Sequence, residues 1–308
     1  YFNSEEMYGL TAETGGKNII HSDGNLDLSI KLDANNPDNR HILQSAVSAS
    51  SEGVNHISSN GVMNVEISAK GRVNDEERSV LGASGSGKNI IESTSAVARN
   101  DVIRLDGSVM ATGQTSADAG KYIDTRSGDD KVTITASLVA GGGANNRTSG
   151  GSNHIYRGSG NDTLEIGGNI KNNSYNGVTN VMYGSRNIID MGWYSDSSQS
   201  ALAGDHGKNT LTVGGNIEVT GKQSGGAQII DADTTVRFGQ GEGLMHVGSG
   251  AGTGNLTLGY GATFNYLAMG GKKTVEFDGT VRTMEESKAV FNFDAHDGVT
   301  SATANDFT

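Results

Sequence analysis

The strongest constraint on this chain is a repeat. A small corner followed by Asn-x-Ile recurs as GKNII at 16–20, VNHI at 54–57, GKNII at 87–91, GKYI at 120–123, SNHI at 152–155, SRNII at 185–189 and AQII at 227–230. The Ile positions are 20, 57, 91, 123, 155, 189 and 230, spaced by 37, 34, 32, 32, 34 and 41 residues. A second column reads apolar-x-apolar-x-x-x-apolar. It runs Ile103-Leu105-Val109, Val132-Ile134-Leu138, Leu164-Ile166-Ile170, Leu211-Val213-Ile217, Leu256-Leu258-Ala262 and Val275-Phe277-Val281, with weaker copies starting at Leu28 and Val65. Alternation of period two is strand spacing with one apolar face. Small residues between the strands, such as Gly167-Gly168 and Gly214-Gly215, suit bends. Gly or Asn interrupts nearly every window long enough for a helix.

A unit of about 35 residues cannot bury an apolar face alone, but a stack of such units can. The predicted fold is therefore all-β: a parallel β-solenoid, β-helix or β-roll-like, of roughly seven to nine coils with loop insertions. Composition agrees. Only 34% of the 308 residues are apolar and 6% aromatic, with 46 Gly and one Pro, which is lean for a compact domain but enough for a core one or two side chains wide. The solenoid is expected over 15–282, with 1–14 and 283–308 as cap or interaction segments. From the Ile column to the next strand the gap is 9 residues at 123–132 and 155–164, but 22 at 189–211 and 26 at 230–256. Insertions such as 193–207 are thus expected to project from one face, the usual place for binding in repeat proteins.

Asn18, Asn55, Asn89, Asn153 and Asn187 lie two positions before the Ile column, on the same strand face. An inward amide ladder is expected there. The residues between, Ile19, His56, Ile90, Tyr122, His154, Ile188 and Ile229, should point outward as a partly apolar stripe.

The formal charge of −12 argues against nucleic acid and anionic membrane surfaces as partners. No apolar run reaches the roughly 18–20 residues of a membrane span. The start YFNSEEMYGL has neither a basic nor an apolar leader region, so the chain is expected to be processed or part of something longer. Zero Cys excludes a disulfide framework and thiolate metal sites. Residues 82–89 (GASGSGKN) nearly match a phosphate-binding loop, but Asn89 replaces the Ser or Thr and a strand follows, so nucleotide binding is rejected.

Residues 158–164, GSGNDTL, and in part 127–132, SGDDKV, resemble the Gly-rich nonapeptides of RTX-type secreted bacterial proteins, whose turns bind Ca²⁺. The longer pattern over 15–282 resembles the coil repeats of very large RTX-type adhesins. The resemblance implies extracellular display at a bacterial surface or in a biofilm matrix. It also implies Ca²⁺ at Asp129, Asp130, Gly160, Asn161 and Asp162. One copy per coil replaces the consecutive nonapeptides of a true roll. Asp130 and Asp162 are one coil apart, and carboxylates stacked about 4.8 Å apart repel by roughly a few kcal/mol. Either a cation sits between them, or Arg126, Lys131 and Arg157 screen them.

Catalysis has little support. The seven His residues are scattered, and His56 and His154 share a column three coils apart. Asp129-Asp130 with Arg126 is the one cluster with the makeup of a polysaccharide-cleaving site. The Thr-x-Thr pairs 133–135 and 210–212 are too few for an ice-binding face. A solenoid also ends in open coils whose strand edges are adhesive. MEESKAVFNF at 284–293 could cover the last coil; alternatively the ends pair head to tail, an arrangement that gives filaments. The expected role is a non-enzymatic, extracellular structural or adhesive element that binds itself or surface glycans. The alternative is a carbohydrate-binding or carbohydrate-degrading β-helix of the tailspike or lyase type.

Overall fold

The structure is a computed structural model. It describes residues 6–34, 42–71, 79–112, 120–141, 151–173, 185–191, 207–220, 222–223, 229–230 and 232–293, apart from single positions 240, 251, 260, 270 and 285. Among these residues every regular element is a strand. Three parallel sheets hold nine, nine and eight strands, and each coil contributes one strand to each sheet in turn. The second coil is representative, with Ile42–Ser50, Val54–Ser59 and Met63–Gly71. The chain is thus a parallel β-solenoid of nine coils, the ninth represented in the first and second sheets only. At strand spacing the body is about 40 Å long.

The core consists of columns. In the first sheet Val109, Leu138, Ile170 and Ile217 are in register. In the second, Ile57, Ile91, Ile123, Ile155 and Ile189 stack. In the third, Ile103, Val132, Leu164 and Leu211 stack beside Leu105, Ile134, Ile166 and Val213. All of these side chains are buried. Burial strips about 25 cal/mol from each Å² of apolar surface, and every coil adds the same few side chains.

The Asn ladder forms as expected. Asn18 Nδ2 donates to Asn55 Oδ1 at 2.8 Å, and Asn55 Nδ2 donates to Asn89 Oδ1 at 2.8 Å. Asn153 Nδ2 donates to Asn187 Oδ1 at 2.9 Å. Each amide also donates to a first-sheet carbonyl: Asn18 to Thr11, Asn55 to Ser48 and Asn89 to Gly82, all at 2.6 Å. The ladder therefore ties the first sheet to the second at every coil it serves. Lys121 occupies the register position between Asn89 and Asn153, which divides the ladder into two runs. Of the intervening side chains, that of Tyr122 lies outside the described residues, and those described in this column face outward. Ile19 is 66% exposed, and His56, Ile90, His154 and Ile188 are half-buried.

Three expectations change. First, Ile229–Ile230 leaves the Ile column and pairs antiparallel with Lys222–Gln223 in a small hairpin. The seventh coil's second-sheet strand is Ala232–Phe238, with Val236 stacked on Ile189. Second, Leu256-Leu258 belongs to the first sheet, stacked on Ile217 and Val219, and Ala262 opens the next second-sheet strand. The third-sheet partner of Leu211-Val213 is Met245-Val247. The interval from Val236 to Met245 is again 9 residues, so the 26-residue gap disappears. Third, length variation is not confined to one face. The stretches 113–119, 142–150, 174–184 and 224–228 fall between first- and second-sheet strands, 35–41 and 72–78 between third- and first-sheet strands, and 192–206 between second- and third-sheet strands. The insertion at 193–207 thus lies, but for Gly207, outside the described residues.

Strand pairing also reaches into both segments expected to act as caps. Glu6–Ala12 pairs with Ile42–Ser50, and Lys288–Phe293 pairs with Ala262–Ala268. Phe291 stacks near Tyr266 and Phe264, with ring centroids 6.2 and 5.8 Å away.

Asn55→Leu should lower stability by about 2–4 kcal/mol, because it strands the Ser48 carbonyl and the neighbouring amides in a dry corner. Asn64→Ala, at an exposed outward position bonded to Asp27 at 3.1 Å, should change it by less than about 0.5 kcal/mol. Urea unfolding midpoints compare the two.

Candidate functional site

The sequence motif that resembles a Ca²⁺ turn lies at the corner between the second and third sheets. Its glycines have a steric task. Gly128 and Gly160 sit at φ +144° and +131°, and a Cβ there would stand 1.6 Å from the Arg99 carbonyl and 2.0 Å from the Gly128 carbonyl, respectively. Only a residue without a side chain lets one coil's turn rest on the next.

The Asp and Asn residues after these glycines form two ladders of opposite sense. On the outside, the Asp129 N–H donates to Asn100 Oδ1 at 3.0 Å. The Asn161 N–H donates to Asp129 Oδ1 at 2.9 Å, and the Lys208 N–H donates to Asn161 Oδ1 at 2.8 Å. One position further along, the side chains turn inward. There the Met63 N–H donates to Asp101 Oδ1 at 2.7 Å, and the Asp101 N–H to Asp130 Oδ1 at 2.7 Å. The Asp130 N–H donates to Asp162 Oδ1 at 3.2 Å, and the Asp162 N–H to Asn209 Oδ1 at 3.0 Å. Adjacent strand residues face opposite sides. The five residues singled out in the sequence are therefore divided: Asp129 and Asn161 face outward, Asp130 and Asp162 are buried inside, and Gly160 shapes the turn. Asp129 and Asp130 do not converge on a cleft with Arg126. Among the described residues no group of three or more His, Cys, Asp or Glu is arranged to hold a metal ion.

Inside the corner, Asp101, Asp130 and Asp162 succeed one another over three coils. The cation beside them is Arg157, itself fully buried, with Nη2 3.8 Å from Asp162 Oδ1. Of the three screening residues named from sequence, Arg157 is the one placed inside. In the sequence Asn100-Asp101-Val102 is only a faint echo of the motif, because it lacks the glycines. Hydroxyls of Ser93 and Thr125 sit beside Asp101 and Asp130. One Oδ2 of each carboxylate and the three guanidinium nitrogens have no hydrogen-bond partner among the described residues. Burial pushes Asp101 up to about 6 and Asp162 up to about 7 from an ordinary 3.8, against the lowering influence of Arg157. Asp130 is raised for the same reason. Burial also works against the charge of Arg157, while Asp162, Asp130, Asp101 and Asp124 support it. The carboxyls titrate as a coupled set.

On the outer face of the second sheet, His56 Nε2 lies 2.8 Å from Glu92 and His154 Nε2 2.8 Å from Asp190, with Arg237 3.4 Å from the same Asp190. Each pair joins neighbouring coils, and the two histidines are three coils apart. Compared with known protein families, curated proteins and solved structures, the chain matches none.

The corner makes stability depend on pH. Groups whose folded pKa lies above 3.8 bind more protons in the folded state. Their contribution to stability is fully present below that value and is lost as pH rises through about 6 and about 7. Melting temperature should therefore be higher at pH 5 than at pH 8. Asp162→Asn keeps an Oδ1 acceptor, as Asn209 does one coil on, and should flatten that slope and stabilise at pH 8 by about 1–3 kcal/mol. Stability that climbs from pH 5 to pH 8 would contradict this. Arg157→Met should instead destabilise at pH 8 by about 3–5 kcal/mol, by leaving the carboxylates uncompensated. Gly160→Ala should lower the melting temperature sharply in any buffer, through strain and the carbonyl clash.

Proposed function

We propose that this chain is a non-enzymatic, extracellular structural or adhesive β-solenoid of a bacterial surface or matrix, assembling head to tail. The observation that carries this reading is the state of the two terminal coils. Leu10, Ile20, Leu26, Leu28, Ile30 and Leu32 in the first coil are only partly buried, as are Val275, Phe277, Val281 and Phe291 in the last two. Their register partners one coil inward, such as Ile57, Val65, Ile67, Leu256 and Tyr266, are buried to 1% or less. Among the described residues, each end therefore presents an apolar cross-section rimmed by strand edges with no further strand beyond them, and such edges favour strand addition. The resemblance to RTX-type adhesin repeats supports the extracellular setting, and the chain's net charge of −12 suits it.

Self-association should grow with concentration and appear as rods longer than about 40 Å in electron micrographs. Isolated rods at high concentration would overturn the reading. A glycan-directed role would show as binding on a glycan array, and cleavage of an acidic polysaccharide would favour the alternative of a carbohydrate-degrading β-helix.

Ca²⁺ at the corner would draw on the outward pair Asp129 and Asn161, since Arg157 serves the inward carboxylates. A melting temperature that falls on adding a chelator would support a bound ion, and an unchanged one would remove it.

A further inference from the structure

We infer a specific register for the contact between copies: Lys288–Phe293 of one copy pairs in parallel with Lys17–Ser22 of the next, placing Val290 on Ile19 and Phe291 on Ile20. This inference rests on the head-to-tail reading and adds its geometry.

The register is a property of the columns. Following the second sheet from coil to coil, Ile19 aligns with His56, Ile90, Tyr122, His154, Ile188, Thr235, Asn265 and finally Val290. Ile19 and Val290 are thus the two ends of one outward column. They are also two of the five large apolar side chains most exposed among the described residues, at 66% and 39%. The neighbouring inward column runs from Ile20 to Phe291, and everything between is buried to 1% or less. The first sheet repeats the pattern. Leu10 and Val281 end a column whose interior members, from Val47 to Leu256, are likewise buried to 1% or less. Among the described residues the first and second sheets are the two that reach the ninth coil, so the junction is argued from them.

A free peptide strand could pair with one of these edges. To satisfy both at once, a partner must present two parallel edges with matching twist and matching apolar columns. The opposite end of this same chain is such an object. Continuing the columns across the junction repeats the packing already present eight times inside the rod.

One feature of this register is unfavourable. Lys17 and Lys288 begin the two strands and fall in the same column, and both are exposed. Like charges directly opposite one another oppose pairing. Salt should therefore promote assembly by screening them.

The chain has no Cys, which makes disulfide trapping clean. Ile19→Cys and Val290→Cys chains, mixed and oxidised, should give a linked ladder that neither chain gives alone. Ile19→Cys mixed with Asn292→Cys, two residues out of register on the same outward face, should link far less. Lys17→Glu or Lys288→Glu alone should lower the concentration for half-assembly by roughly two- to fivefold, and the double variant should lose that gain. If particles assemble but the Asn292 mixture links as well as the Val290 mixture, the register is wrong while head-to-tail assembly stands. Ile19→Cys chains that link to themselves would show a head-to-head contact and overturn both. Absence of assembly at any concentration removes the self-association reading and the register with it.

Discussion

Every interior coil of this chain hydrogen-bonds to the coils above and below at one strand spacing. A residue is therefore judged by its two neighbours along the stack more than by its neighbours in sequence. Apolar residues satisfy that condition with one another, and so do amides, because an amide both donates and accepts. Asn18, Asn55 and Asn89 form such a chain, each donating to the next and to a carbonyl across the corner. At the bend between the third and first sheets, the side-chain oxygens of Ser108, Ser137, Asn169, Asn216 and Asn255 each accept a hydrogen bond from the backbone N–H of a residue one coil on. Polar burial in this fold is stabilising where it repeats and costly where the repeat is broken.

Carboxylates meet the same condition with more difficulty. They accept hydrogen bonds well, and Asp101, Asp130 and Asp162 each take a backbone N–H, but a stack of them accumulates charge. The structure limits the run to three coils, replaces the next member with Asn209 and places one guanidinium alongside. Burial is what raises the carboxyl pKa values, and the neighbouring carboxylates add to it. The corner is held by the same backbone geometry as its neutral neighbours and differs from them chiefly in its dependence on protons.

Much of this was legible in the sequence. Between 87 and 217 the columns are regular, and the strands fall where period-two alternation places them. The reading failed after 217 for a physical reason. Apolar-x-apolar spacing is common to all three sheets, so Leu256-Leu258 reads equally well as first- or third-sheet strand. Ile229–Ile230 supplies a decoy on a hairpin, while the true column continues through Val236, whose flanks Thr234 and Arg237 share nothing with Asn-x-Ile. At the corner, the motif identified the right turn but not the direction of each side chain. One step along a strand reverses the face, so Asp129 and Asp130 are adjacent in sequence and on opposite sides of the wall. Arg157 is legible as one of three basic residues near the carboxylates, but only the face it occupies separates it from the exposed Arg126 and Lys131.

The inner column that contains Arg157 changes character along the rod. It begins as Ser22, Ser59 and Ser93, passes Arg157 and continues as Met191 and Phe238. Beyond it, Phe238, Tyr266, Phe264, Phe277 and Phe291 lie within ring-contact distance of one another. Small hydroxyl side chains thus open this column in the first coils, and aromatic rings cluster in the last ones. In a structure whose stability is a sum over neighbouring repeats, such a gradient makes the two ends mechanically unequal.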